Sequence, residues 1–109
     1  MGKRERERGK RGELEVARIT NEELDIEDAR RGQQYAGGPD SPDVIGLPGF
    51  HLEVKRVETL RLNDSIEQSE NDAADDEVPC VVFRKNGQPW RIILPYRDFL
   101  KLYKEAKLS

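Results

Sequence analysis

Ser41-Pro42-Asp43-Val44-Ile45-Gly46-Leu47-Pro48-Gly49-Phe50-His51-Leu52-Glu53-Val54-Lys55 is the most informative stretch of the chain. Asp43 opens a short apolar run, Val44-Ile45, that predicts a strand. The glycines and prolines at 46, 48 and 49 predict a turn after it. Residues 50–57 then alternate as a second strand does, with Phe50, Leu52 and Val54 pointing one way and His51, Glu53 and Lys55 the other. Nine residues separate Asp43 from Glu53, and Lys55 follows two further on. Glu53 and Lys55 therefore lie side by side, with Val54 buried behind them. If the two strands form a hairpin, Asp43 reaches Glu53, and two carboxylates offer the oxygen ligands that hard divalent cations take. A lysine beside them can orient an attacking water and offset phosphate charge, which is what metal-assisted phosphodiester hydrolysis needs. Asp40 also follows a proline, but Val44 and Ile45 make Asp43 the better strand-borne acid.

Upstream, the pattern predicts a helix over residues 10–22, with Leu14, Ala17 and Leu24 near one face and Glu13 at its border. Residues 1–9 read as a frayed basic arm and 10–109 as one domain. Between 25 and 49 the chain is broken by glycines and prolines, with short strands expected over 30–34 and 43–45. Downstream, a helix is expected over 62–74, burying Leu62, Ile66, Ser69 and Ala73 and capped by Asn63 or Asp64. Cys80-Val81-Val82-Phe83 is an apolar run suited to a strand buried on both faces. Asn86-Gly87 is a strong hairpin signal, with the return strand over 90–94. Pro95 ends that strand, and Tyr96, Phe99, Leu100, Tyr103 and Ala106 mark a last helix. The expected order is α-β-β-β-α-β-β-α, an α/β fold with a small mixed sheet flanked by helices.

At 109 residues the chain has room for one domain, and with 38% charged residues its core must be small. No apolar run approaches a membrane span, and no apolar stretch follows the basic start, so neither a membrane protein nor a secretory signal is expected. The expected setting is cytoplasmic. A single cysteine, Cys80, excludes an intrachain disulfide framework. The net charge of -3 conceals strong segregation. Residues 1–12 carry +4 and 78–109 carry +5, whereas 13–29 carry -6 and 64–77 carry -7. Such a chain has no general basic coat for nucleic acid, but it has room for a basic stripe beside clustered carboxylates.

The PD…EVK pattern resembles the PD-(D/E)XK nuclease superfamily, whose core is restriction-endonuclease-like. The likeness includes Lys10-Arg11-Gly12-Glu13 on the upstream helix, Ala29-Arg30-Arg31-Gly32-Gln33-Gln34-Tyr35, and Gln68 on the helix after the EVK strand. Over roughly residues 10–105 it is strongest to the small Holliday junction resolvases of archaea and their phage-encoded relatives. The resemblance implies Asp43 and Glu53 as metal ligands, Lys55 as the catalytic lysine and Glu13 as a third acid. It further implies the Val54 carbonyl as a ligand, Gln68 as a positioning group, and Lys10, Arg11, Arg30 and Arg31 as phosphate contacts. The implied cofactor is Mg²⁺, with Mn²⁺ as substitute. The implied partners are branched DNA, four-way junctions above all, and a second copy of the chain in a homodimer, in a phage or host setting.

Each residue also has a plainer reading. Glu53 and Lys55 can be an ordinary exposed strand pair, worth about 0–1 kcal/mol. Glu13 can belong to a solvated acidic helix face. His51, which such relatives do not require, reads as a bystander. Cys80 reads as core, Trp90 as packing at the sheet edge or a subunit contact, and the acidic run 72–77 as a solvated helix end. The expected activity is metal-dependent endonucleolytic cleavage of branched DNA. The rivals are a related nuclease acting on flaps, nicks or duplex, and a non-catalytic DNA-binding module.

Overall fold

The central strand of the molecule is covered on both sides, and that fixes where everything else sits. The computed structural model describes residues 2–32 and 42–108. Its elements are α1 (Lys3–Leu24), β1 (Arg30–Arg31), β2 (Val44–Ile45), β3 (Phe50–Arg56), α2 (Leu62–Asp72), β4 (Val78–Arg84), β5 (Arg91–Ile93) and α3 (Tyr96–Leu108). The order matches the expected one. Positions 33 and 34 of the expected first strand, and Asp40, lie outside the described residues.

The five strands form one sheet in the order β1-β2-β3-β4-β5. Neighbours are antiparallel except β3 and β4, which run parallel in register from Phe50↔Val78 to Arg56↔Arg84. A parallel pair needs a crossover, and α2 supplies it. The Asn86-Gly87 turn closes β4 onto β5, with Val82 opposite Ile92.

One side of the sheet is the apolar core. Val16 and Ala17 of α1 pack with Ala29, Val44, Leu52, Val54 and Cys80, flanked by Leu47, Phe50, Val82 and Trp90. Leu14 and Leu24, expected on this face, are exposed. The buried stripe instead runs through Gly12, Val16 and Ala17, spaced i, i+4, i+5. Gly12 is needed there: a Cβ on it would stand 3.1 Å from the Cβ of Arg56 and 3.5 Å from the Trp90 ring. Helix and sheet thus meet almost backbone to side chain, and this seats Glu13 at the rim of the sheet. Arg84 adds a tie, pairing with Glu15 at 3.1 Å while its guanidinium lies over the Trp90 ring. At the other end Asn21 donates to the Ala29 carbonyl (3.0 Å) and accepts from its amide (2.9 Å). Asp25, at φ 55, turns the chain out of the helix in the left-handed conformation common at helix ends.

α1 begins at Lys3, so residues 3–9 continue the helix and do not form the expected frayed arm. Arg, Lys and Glu are strong helix formers, and their alternating signs favour pairing along the helix. α2 starts at Leu62 as expected but ends at Asp72, and its cap is neither Asn63 nor Asp64. Arg61 is its N-cap, without a side-chain cap bond, while Asp64 in the first turn pairs with Arg61 at 3.1 Å. Its buried residues are Ser65 and Ser69, and Leu62 is half exposed. α3 differs most from an ordinary flanking helix, since none of its residues is buried. Tyr96, Phe99, Leu100 and Tyr103 all stand exposed along it. Among the described residues no helix is long and apolar enough to cross a membrane.

Candidate active site

The face of β3 opposite the core carries His51, Glu53 and Lys55, and it is covered rather than solvated. His51 is 0% and Glu53 3% exposed. The plainer reading of an exposed strand pair therefore fails for Glu53, because α2 lies over this part of the face. The buried residues of α2 are two serines, Ser65 and Ser69, and the enclosed charged groups bond to one another, His51 to Glu53 and Glu53 to Asp43.

Asp43 meets this face from β2. The amides of Gly32 and Asp43 are both held in the sheet, bonding to Asp43 O and Leu52 O at 2.9 Å each. The side chain then extends the ladder: Asp43 Oδ2 accepts the amide of Val54 at 2.8 Å. That bond fixes one carboxylate oxygen against the strand that carries Glu53. The two acids are in hydrogen-bonding contact. Burial, followed by the negative charge of Asp43, pushes the Glu53 carboxyl up to about 7, although a hydrogen bond from His51 opposes the rise. Glu13 arrives from α1 with 12% of its side chain exposed. Its carboxyl is also raised, by burial first and by the Asp43 charge as well, against the hydrogen bond from Arg31.

The structure thus brings Glu13, Asp43 and Glu53 into one electrostatic neighbourhood from three elements. Two of the acids are held above their ordinary range, by burial first and by the Asp43 charge as well. A divalent cation bound by oxygen ligands would relieve both shifts, so these residues fit one. Val54 is buried, with its amide committed to Asp43.

Lys55 and Gln68 are joined: Lys55 Nζ donates to Gln68 Oε1 at 3.0 Å. They stand at the head of a cleft of about 420 Å³, also lined by Thr59, Arg61, Asp64 and Ser65. Asp64 places an acidic group on the wall of the same cleft.

The basic residues divide. Lys10, Arg11 and Arg30 are exposed, as phosphate contacts should be. Arg31 is not free, since its Nε donates to Glu13 Oε1 at 2.7 Å. Cys80 is buried and its thiol is pushed up to about 11 by burial and by Asp98, consistent with a packing role.

His51 is the residue the sequence reading undervalued. Its Nε2 lies 2.9 Å from Glu53 Oε1. Its Nδ1 lies 3.4 Å from Glu77 Oε1 without making a hydrogen bond. Asp72, the last residue of α2, closes in from above, so the acidic run 72–77 is not simply a solvated helix end. The signal available was the i, i+2 spacing of His51 and Glu53. The partners on α2 and beyond it could not be inferred from that spacing.

Architecture and topology together define a restriction-endonuclease-like α/β fold. Among solved structures, the chain is similar to a Holliday junction resolvase from the archaeal hyperthermophile Archaeoglobus fulgidus, with a TM-score of 0.50 and 23% identity, covering 77% of this chain and 76% of that one. No family model and no curated protein sequence matches the chain.

Proposed function

We propose that the chain is a divalent-metal-dependent DNA endonuclease that cuts branched DNA, a four-way-junction resolvase first among these. The observation that supports this most is the convergence of Asp43, Glu53 and Glu13 beside the Lys55–Gln68 pair. Asp43, Glu53, Glu13 and the Val54 carbonyl would hold Mg²⁺, with Mn²⁺ as substitute. When bound, the ion supplies a water of lowered pKa and a Lewis acid for the scissile phosphate. Gln68 holds the Lys55 ammonium at the mouth of the cleft, where it can orient the attacking water and offset phosphate charge. Arg31, which neutralises Glu13 in the free chain, is placed to exchange that carboxylate for phosphate. Lys10 and Arg11, one turn before Glu13, extend the basic track along α1.

The reading includes a homodimer, since resolving a junction takes two coordinated cuts and a two-fold axis supplies both sites. The uncovered apolar face of α3, with Tyr96, Phe99, Leu100 and Tyr103, supports it. Light scattering at micromolar concentration should give twice 12.5 kDa. A monomer that persists with junction DNA would shift the reading toward a nicking or flap-cutting nuclease.

The deciding experiment is a panel assay: the full chain with Mg²⁺ or Mn²⁺ against four-way junction, splayed arm, single strand and duplex. Preferential junction cleavage is expected. Preference for another substrate would identify a related nuclease. Binding without cleavage of any substrate would identify a non-catalytic module.

A further inference from the structure

We propose that His51, Glu53 and Asp72 form a second cation site, on the α2 side of Glu53, that takes a nitrogen-accepting divalent ion such as Zn²⁺. A nitrogen of His51 and carboxylate oxygens of Glu53 and Asp72 all lie within 4.8 Å of one another. Tetrahedral zinc with ligands at about 2.0–2.2 Å needs neighbouring donor atoms roughly 3.4 Å apart. Small side-chain adjustments bring this set to that spacing. One ligand comes from each of two strand positions on one face and the third from the end of the covering helix, so the site is framed by regular elements.

The imidazole gives independent support. His51 is fully buried, and its Nδ1 has no hydrogen-bond partner. A buried polar atom left unmatched is costly and rare. Glu77 Oε1, 3.4 Å from Nδ1, is held in place by the Ala74 amide at 2.9 Å. If Nε2 takes the metal, a small rotation of the ring lets Nδ1–H donate to Glu77. This is the carboxylate–histidine–metal arrangement that fixes the ring's tautomer and raises its basicity. The donor set also separates the ion classes: imidazole suits zinc and its neighbours, whereas an all-oxygen set suits magnesium. Glu53 would border both sites, with His51 and Asp72 on one side and Asp43 on the other.

The site does not depend on the nuclease reading, and its test uses no DNA. His51 is the only histidine in the chain, so its ring nitrogens can be observed by NMR without ambiguity. The full chain is titrated with Zn²⁺ in excess Mg²⁺. One equivalent should shift one ring nitrogen to a metal-bound position. Asp72→Asn should weaken zinc binding at least tenfold. That variant should fold normally, because Asp72 ends a helix, where a negative charge is unfavourable. Asp43→Asn should keep the ring response. Ring signals that ignore zinc, an Asp72→Asn variant that binds it as tightly as the parent, or loss of the response in Asp43→Asn would each overturn the proposal.

Discussion

The two faces of β3 are buried to a similar degree with opposite chemistry. Toward α1, Leu52 and Val54 meet Val16 and Ala17, a plain apolar core. Toward α2, His51 and Glu53 are at least as deeply enclosed, under Ser65 and Ser69. The first face stabilises the fold through removal of apolar area from water. The second holds carboxylates close together at an electrostatic cost, which is relieved by protonation or by a cation. One strand therefore divides stability and chemistry between its sides, and substitutions on the two sides should separate the two properties.

The largest separation is expected from Asp43→Asn. Cleavage should fall by about a hundredfold or more, the scale of losing a group that stabilises transition-state charge. The melting temperature of the metal-free chain should hold or rise, since a repulsive charge beside Glu53 is gone. Near-parental turnover at saturating Mg²⁺ would remove Asp43 from the site. On the other face, Val54→Asp should unfold the chain by burying an unpaired charge. Lys55→Ala should leave the denaturation midpoint within about 0.5 kcal/mol of the parent while crippling turnover. The reverse ranking in stability would mean that the strand register is shifted by one residue.

A smaller effect should appear in the pH dependence of the metal-free chain. Glu53 rises from an ordinary 4.5 to about 7 on folding, and Glu13 rises too. Between these values the native state binds more protons than the unfolded one. Stability from this source is therefore full below about pH 4.5 and is lost as pH rises through about 7. Denaturation midpoints measured across that range should decline. Glu53→Gln should flatten the decline, and saturating Mg²⁺ should oppose it. A midpoint that climbs with pH would contradict the crowded acids. The smallest contrast lies in single hydroxyls. Ser69 donates to the carbonyl of Ile66 at 2.8 Å on the polar side, and Ser69→Ala should change stability by less than about 1 kcal/mol. Ala17→Ser on the apolar side should cost about 1–3 kcal/mol, because it sets a hydroxyl against the apolar core, where only the helix carbonyls one turn earlier can accept from it. Equal costs for the two would erase the distinction between the faces.

The apolar face was largely legible in the sequence. Alternation in β3, the run ending at Phe83 and the Asn86-Gly87 turn carry local information of period two, and the structure follows it. What alternation did not show was that the second face is covered as well. A polar residue opposite a core residue usually faces water, but His51 and Glu53 are buried beneath α2. Leu14 and Leu24 failed for a related reason. Helical spacing admits more than one face, and Gly12, which permits the close approach, has no hydrophobic signature. The acids of the candidate site were readable because Asp43 and Glu53 share a hairpin. The approach of Asp72 and Glu77 to His51 depends on how the crossover returns, which no local pattern encodes.

The parallel pairing of β3 with β4 also bears on the order of folding. Every partner in that ladder is 28 positions from its mate, from Phe50↔Val78 to Arg56↔Arg84. The β2–β3 and β4–β5 pairs close through short turns instead. Loop-closure entropy favours the local pairs, so they should form first and the long-range ladder later. On that schedule Asp43 and Glu53 come together while still exposed to solvent, where their repulsion is weak, and α2 encloses them only as the ladder completes. The acids would then oppose the final step and spare the early one. Replacing Glu53 with glutamine should therefore speed refolding, provided the ladder forms at the rate-limiting barrier. A substitution in the β2–β3 turn that destabilises the chain should slow folding. If chevron analysis instead showed the turn substitution acting only on unfolding, the hairpin-first order would be wrong.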